Sequence, residues 1–161
     1  MTTAQDIVIN LNDNQAIKMA RNIHDRIFSA VDYDTVEKNS RGDDDGKTLL
    51  GLSDDQLKTK FDASTSVELS RNILESISND EGLSAVIADA WEEVQNDDSM
   101  AIGIGTVIAV GLMVNLTLFM ISSELELNFK NGKLIKHKVD TEAVKAVVEL
   151  ISKTAKIATA G

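Results

Sequence analysis

The sequence contains no cysteine and no proline among its 161 residues, and only 4% of the residues are aromatic. Without cysteine, the chain can form neither a disulfide framework nor a thiolate metal site. Without proline it has few rigid turns, which fits a mainly helical chain. The length suits one domain or two very small ones. These absences favour a mainly helical fold and exclude the small disulfide-bonded class.

Basic residues are scarce in the first hundred positions, where nine stand against 21 acidic residues. The net charge of residues 1–100 is therefore −12. Residues 101–161 contain seven basic and five acidic residues, which gives them a net charge of +2 and the whole chain a net charge of −10. Phosphate contacts need clustered lysine and arginine, so the acidic half argues against nucleic-acid binding. An anionic membrane surface would also repel it.

Charge is absent from Ser99 to Ser123, and most of these residues are apolar. A membrane-spanning helix needs about 20 residues, so the stretch 99–123 predicts one long apolar transmembrane helix, with the lipid bilayer as a partner. Ala101, Gly105 and Ala109 recur every fourth residue, as in close helix contacts in lipid, which predicts self-association into a homo-oligomer. The alternatives are a soluble α+β module in which residues 101–122 form a buried core helix, or two buried strands.

The flanking charges predict the orientation of such a span. Lys130, Lys133, Lys136 and Lys138 follow it closely, whereas only acidic residues precede it at short range. The positive-inside rule then predicts a single-pass membrane protein whose carboxyl-terminal module is cytoplasmic. The alternative is a soluble cytoplasmic protein.

Residues 1–98 predict an acidic helical bundle of three or four helices. Asn12 and Asp13 are good caps for a helix whose apolar residues recur at helical spacing. Residues 34–47 combine turn residues with a charge cluster and predict a loop. Capping boxes predict three later helix starts, at Ser53 with Gln56, Thr65 with Glu68, and Ser78 with Glu81.

Residues 124–161 predict a β-hairpin followed by an amphipathic helix, with Asn131 and Gly132 in the hairpin turn. The helical spacing predicts that the inward residues of this helix are Val144, Val147, Val148, Ile151 and Ala155. A two-residue Asn131–Gly132 loop sets Phe129 opposite Leu134 and puts Ile135 on the other face. A three-residue loop, residues 130–132, keeps Leu125, Leu127, Phe129, Ile135 and Val139 on one face. We favour the three-residue loop, because a shift of one residue would turn part of the apolar set away from the core.

The sequence offers no catalytic, cofactor-binding or metal site. The run Asp43–Gly46 resembles part of a calcium loop, but with Gly46 at the sixth place Arg41 and Leu52 occupy the first and twelfth, where carboxylates are needed. His24 and His137 lack a metal-ligand partner at helical spacing. Neither a Gly-x-Ser-x-Gly elbow nor a phosphate-binding glycine loop occurs. We therefore predict a protein that is not an enzyme.

From the apolar segment onward the layout resembles the effector-associated constant components of bacterial conflict systems. In that family an apolar helix is followed by a hairpin, which residues 124–139 resemble, and by a short helix, which residues 140–152 resemble. The similarity covers residues 101–155 and rests on layout. It implies an effector or adaptor of bacterial defence without catalysis. Together with the predicted span, this gives a protein that acts through protein–protein interaction and self-associates in the membrane or perturbs it.

Overall fold

The computed structural model describes residues 2–96, 107–130, 132–139 and 141–160. Within these ranges the chain forms nine helices and one two-stranded antiparallel sheet. The prediction of a mainly α fold with a small β-hairpin is therefore confirmed.

Seven helices precede the apolar segment. They are α1 (Ala4–Ile9), α2 (Asp13–Ala30), α3 (Tyr33–Ser40), α4 (Asp44–Leu50), α5 (Asp54–Lys58), α6 (Ala63–Ser78) and α7 (Ser84–Val94). After them come α8 (Val110–Ile121), β1 (Leu125–Phe129), β2 (Gly132–Lys136) and α9 (Glu142–Ala160).

Side-chain caps account for most of the helix starts. Asn12 accepts a hydrogen bond from the Gln15 amide, and the Gln15 side chain accepts one from the Asn12 amide, so the start of α2 agrees with the prediction. Ser53 and Gln56 form the predicted capping box of α5. These reciprocal bonds satisfy amides that have no partner within their own helix.

Three sequence expectations for the first half are wrong. The predicted loop 34–47 contains α3 and most of α4, because Asp32 and Asp43 each cap a helix with their carboxylates. Asp62, not Thr65, caps α6 by accepting a hydrogen bond from the Thr65 amide. Helix α7 begins only at Ser84 and has no side-chain cap, so no Ser78–Glu81 box starts it.

The prediction of a single-pass membrane protein is wrong. The described part of the apolar segment includes only a 12-residue helix, α8, which at 1.5 Å per residue covers about 18 Å of the roughly 30 Å of a bilayer core. Before it, Ala109 has extended backbone and forms an antiparallel bridge with Lys60. No helix in the described ranges has the combination of length and apolarity that a bilayer crossing requires. Residues 99–106 lie outside those ranges.

Helix α8 lies in the core. Most of its side chains are buried, and it packs against α2, α3, α4, α5, α6 and α9. The hydrophobic core cluster includes residues from all three predicted parts of the chain, such as Ile23, Phe119 and Val147. The predicted inward face of α9 is confirmed, since its buried residues include Val144, Val147, Val148, Ile151 and Ala155.

Candidate functional site

The strand pairing differs from both predicted registers, but Ile135 lies on the face that the two-residue alternative gave it. Phe129 pairs with Gly132, Leu127 with Leu134 and Leu125 with Lys136, so only two residues separate the two strands in the chain. Side chains of paired residues share a face of the sheet. The favoured three-residue loop is therefore wrong, and Ile135 lies on the outer face with 54% of its surface exposed.

Lys136 takes the inward place that the favoured register gave to Ile135. Only 2% of its surface is exposed. Its Nζ donates hydrogen bonds to three backbone carbonyl oxygens, those of Phe119, of Met120 at 2.7 Å and of Ser122 at 2.9 Å. An ammonium has three donors, so the group is fully satisfied. The three acceptors lie at the carboxyl end of α8, where helix carbonyls have no partner within the helix.

Electrostatics explains why this cation is tolerated. Its Nζ lies 4.9 Å from the centre of the Phe119 ring, whose face attracts a cation. The helix dipole also places partial negative charge at the carboxyl end of α8. Burial nevertheless lowers the pKa of Lys136 to about 7, and the charge of Asp80 opposes that shift. Lys136 therefore fastens β2 to the core through its hydrogen bonds to the end of α8.

The outer edge of β2 has no neighbouring strand, because the sheet consists of β1 and β2 alone within the described residues. On the other side, β1 lies against α2 and α3. Lys133 is exposed and its Nζ lies 3.2 Å from the Glu126 carboxylate on the same outer face. We call the outward backbone groups and outer side chains of residues 132–136 the β2 edge.

A cleft of about 400 Å³ lies between the tip of the hairpin and α7. Phe129 and Leu134 form its hairpin wall, and Gly82 and Val86 belong to the opposite wall. A Cβ at position 82 would approach Leu134 Cδ1 to 3.1 Å, so glycine allows the close packing there. Arg26 also lines the cleft, and it is held by an ion pair with Glu93 at 2.6 Å. Gly132 and Lys133 of the β2 edge also line the cleft.

The acidic run Asp43–Gly46 has a structural role. Asp43 caps α4 and its carboxylate lies 2.6 Å from Lys138 Nζ, which lowers the pKa of Asp43. A Cβ at Gly46 would collide with the Ser40 carbonyl, so this glycine permits close packing of α3 and α4. The pair between Asp43 and Lys138 ties the exit of the hairpin to α4.

His24 has polar partners at both ring nitrogens. Nδ1 lies 3.0 Å from an Asp25 carboxylate oxygen, and Nε2 lies 3.2 Å from the Asn115 amide nitrogen on α8. The ring also packs against Phe28. Neither nitrogen is thus presented to a reacting group. His137 is exposed next to β2. Among the described residues, no group of three or more histidine, aspartate or glutamate side chains is arranged to hold a metal ion.

The sequence-predicted site residues are only partly described. Ala101, Gly105 and Asn131 lie outside the described ranges. Ala109 is in extended backbone rather than in a helix. Gly132 begins β2 with a φ of +141°, a conformation that L side chains rarely adopt. Self-association through Ala101, Gly105 and Ala109 stays a prediction.

Sequence reasoning missed Lys136. Its position among four lysines in residues 130–138 suggested only a basic surface. The one signal that could have found it is the length of the loop. With a two-residue loop, Lys136 pairs with Leu125 and therefore shares the inward face of Leu125 and Leu127.

Comparison of the chain with protein-family models, with curated proteins and with solved structures finds no match. The layout resemblance to components of bacterial conflict systems therefore stays a prediction.

Proposed function

We propose that this protein is a non-enzymatic α+β interaction module, in which α8 supplies the buried core and the hairpin supplies the binding surface. The observation that carries the proposal is the hairpin itself. Its inner face is fastened to α8 by Lys136, while its outer face presents Ile135 and an edge without a neighbouring strand.

The position of α8 supports an interaction module in which the apolar segment forms the buried core helix. The most apolar part of the chain is used to build the core, since Met113, Leu116 and Phe119 have no exposed surface. The apolar surface left for a partner is therefore found elsewhere. Apart from Ile135, large exposed apolar side chains among the described residues are Ile9 and Tyr33.

The polar groups of the core support a structural rather than a catalytic use. Lys136 donates all three of its hydrogen bonds to backbone carbonyl oxygens. His24 is held between Asp25 and Asn115. A catalytic base or nucleophile must instead reach a substrate within hydrogen-bond distance.

Site-specific photo-crosslinking tests the proposal. A benzophenone amino acid replaces Ile135 on the hairpin in one variant and Lys58, which is exposed on α5, in the control. In cells that produce the chain naturally, irradiation should yield one dominant protein adduct at position 135 and none of the same mass at position 58. Equal adducts at both positions, or no adduct at position 135, would contradict a binding surface on the hairpin.

A further inference from the structure

We propose that the β2 edge binds an extended, acidic segment of a partner protein, which adds to the hairpin as a third strand. The proposal rests on the interaction function proposed above and specifies the partner. Addition of a strand to an open sheet edge gains affinity from main-chain hydrogen bonds and selectivity from alternate side chains.

The register determines which backbone groups of β2 point outward. Only two residues separate Phe129 from Gly132, so this pair closes the hairpin by exchanging both backbone hydrogen bonds. Such pairs alternate with pairs whose amides and carbonyls point away from each other. Lys133 and Ile135 belong to the second kind, and no other described residue forms a backbone hydrogen bond with them.

The edge is firmly held, which reduces the cost of ordering it when a partner binds. Leu134 and Lys136 belong to the pairs that bond β2 to β1. Lys136 is in turn anchored to α8, and Val139 donates a backbone hydrogen bond of 2.8 Å to the Met120 carbonyl just beyond the strand. A segment that docks on the β2 edge thus meets backbone groups already in strand geometry.

Charge favours an acidic occupant. Of the four lysines in residues 124–139, Lys136 is buried and Lys138 is paired with Asp43. Lys133 is paired with Glu126 at 3.2 Å, but 73% of its side chain stays exposed on the outer face. Lys130, Lys133 and His137 are exposed around the strand. A second copy would instead add the exposed lysines of both copies to one surface. Opposite charges across strands stabilise a pair and like charges destabilise it, so an acidic segment fits and a second copy does not.

Lysines on an edge strand have a second known use, which is to prevent aggregation. The test must separate this use from strand addition. The probe is an acetylated, amidated heptapeptide of alternating glutamate and valine, with the same peptide carrying lysine in place of glutamate as its control. Both are titrated into the full chain labelled with ¹⁵N.

We expect the glutamate peptide alone to shift the amide resonances of residues 132–138 and to slow hydrogen exchange at Lys133 and Ile135. Ile135→Pro removes an outward amide and is compatible with an edge strand. It should weaken binding about tenfold, which corresponds to the loss of one or two main-chain hydrogen bonds. Ile135→Thr keeps the amide and should bind within about threefold of the original chain. Retained exchange protection at Leu134 shows that each variant still forms the hairpin.

Binding of the glutamate peptide weaker than a Kd of about 1 mM, equal binding of the lysine peptide, or full binding by Ile135→Pro would overturn the proposal. The lysines would then serve only to guard the edge. If the peptide fails while photo-crosslinks at position 135 persist, the interaction function stands and strand addition is wrong. If both fail, the hairpin is not the binding surface.

Discussion

Helix α8 and strand β2 are separated by 10 residues in the chain, and they differ in which side chains they bury. In α8 the apolar residues lie inside, as their hydropathy predicts. In β2 a lysine lies inside and the isoleucine beside it is exposed. The difference shows that hydropathy determines burial where only apolar contacts compete. It fails where unpaired carbonyls at a helix end need a donor.

The cost of burying Lys136 is offset by the groups it meets. Leaving buried carbonyl oxygens without a partner costs about 1–3 kcal/mol each. An isoleucine at the inward position would leave the carbonyls of Phe119 and Ser122 without this donor, whereas the Met120 carbonyl would keep its hydrogen bond from the Val139 amide. The register of the hairpin thus follows from the end of α8 and not from the pattern of β2 alone.

The largest expected effect is on stability, when an aliphatic side chain of α8 or of β2 is replaced by alanine. Leu116→Ala in α8 removes a side chain with no exposed surface and should lower the free energy of unfolding by about 2–5 kcal/mol. Ile135→Ala on the β2 edge, the matched control, should lower it by less than about 1 kcal/mol. Urea unfolding followed by circular dichroism measures both. Similar losses would show that Ile135 is buried and that the register is wrong.

The second effect concerns pH. Because the pKa of Lys136 is about 7 in the folded chain against 10.5 for an ordinary lysine, the unfolded chain binds more protons between these values. Stability should therefore rise with pH across that window, by at most about 1.4 kcal/mol per pH unit. Lys136→Met should abolish the rise, and Lys133→Met, which alters an exposed lysine, should keep it.

Urea unfolding at several pH values from 7 to 9.5 compares these variants. If stability still rises with pH in Lys136→Met, the rise comes from another titratable group. A slope absent from the original chain would mean that the three carbonyls and the Phe119 ring hold the Lys136 pKa near its ordinary value.

The smallest effect concerns the contact that ties the hairpin exit to α4. Asp43→Asn keeps an oxygen that can cap α4 but removes the ion pair with Lys138. Both side chains are partly exposed, so the loss at neutral pH should be about 0.5 kcal/mol. The adjacent Asp44→Asn makes the same charge change at an exposed position in the first turn of α4. It removes a charge that the helix dipole favours but not the ion pair with Lys138, so its loss should be smaller.

The dependence of stability on pH in the acidic range provides a second measurement for Asp43. Its pKa is lowered in the folded chain, so its contribution is present above the ordinary value of 3.8 and is lost as pH falls through the lowered one. Asp43→Asn should therefore flatten the loss of stability below pH 4 relative to Asp44→Asn. An identical dependence of stability on pH in the two variants would contradict the pair with Lys138.

Local patterns predicted the parts of the fold that local forces determine. The helical spacing in α2 and α9 placed their buried faces, and Ser53 with Gln56 placed the start of α5. The short helices α3 and α4 were missed, because their aspartate caps lie in a charged stretch that is also typical of loops. No local signal identified Asp62 rather than Thr65 as the cap of α6, since both residue types cap helices well.

The sequence by itself determined that the chain is mainly helical, that a hairpin follows the apolar segment, and that this segment must be shielded from water. Only the tertiary structure decided what shields it. Surrounding helices cover α8, because the amphipathic faces of α2, α6 and α9 need an apolar surface to bury. The tertiary structure also decided which side of β2 faces inward, because the carbonyls that Lys136 satisfies come from the end of another element.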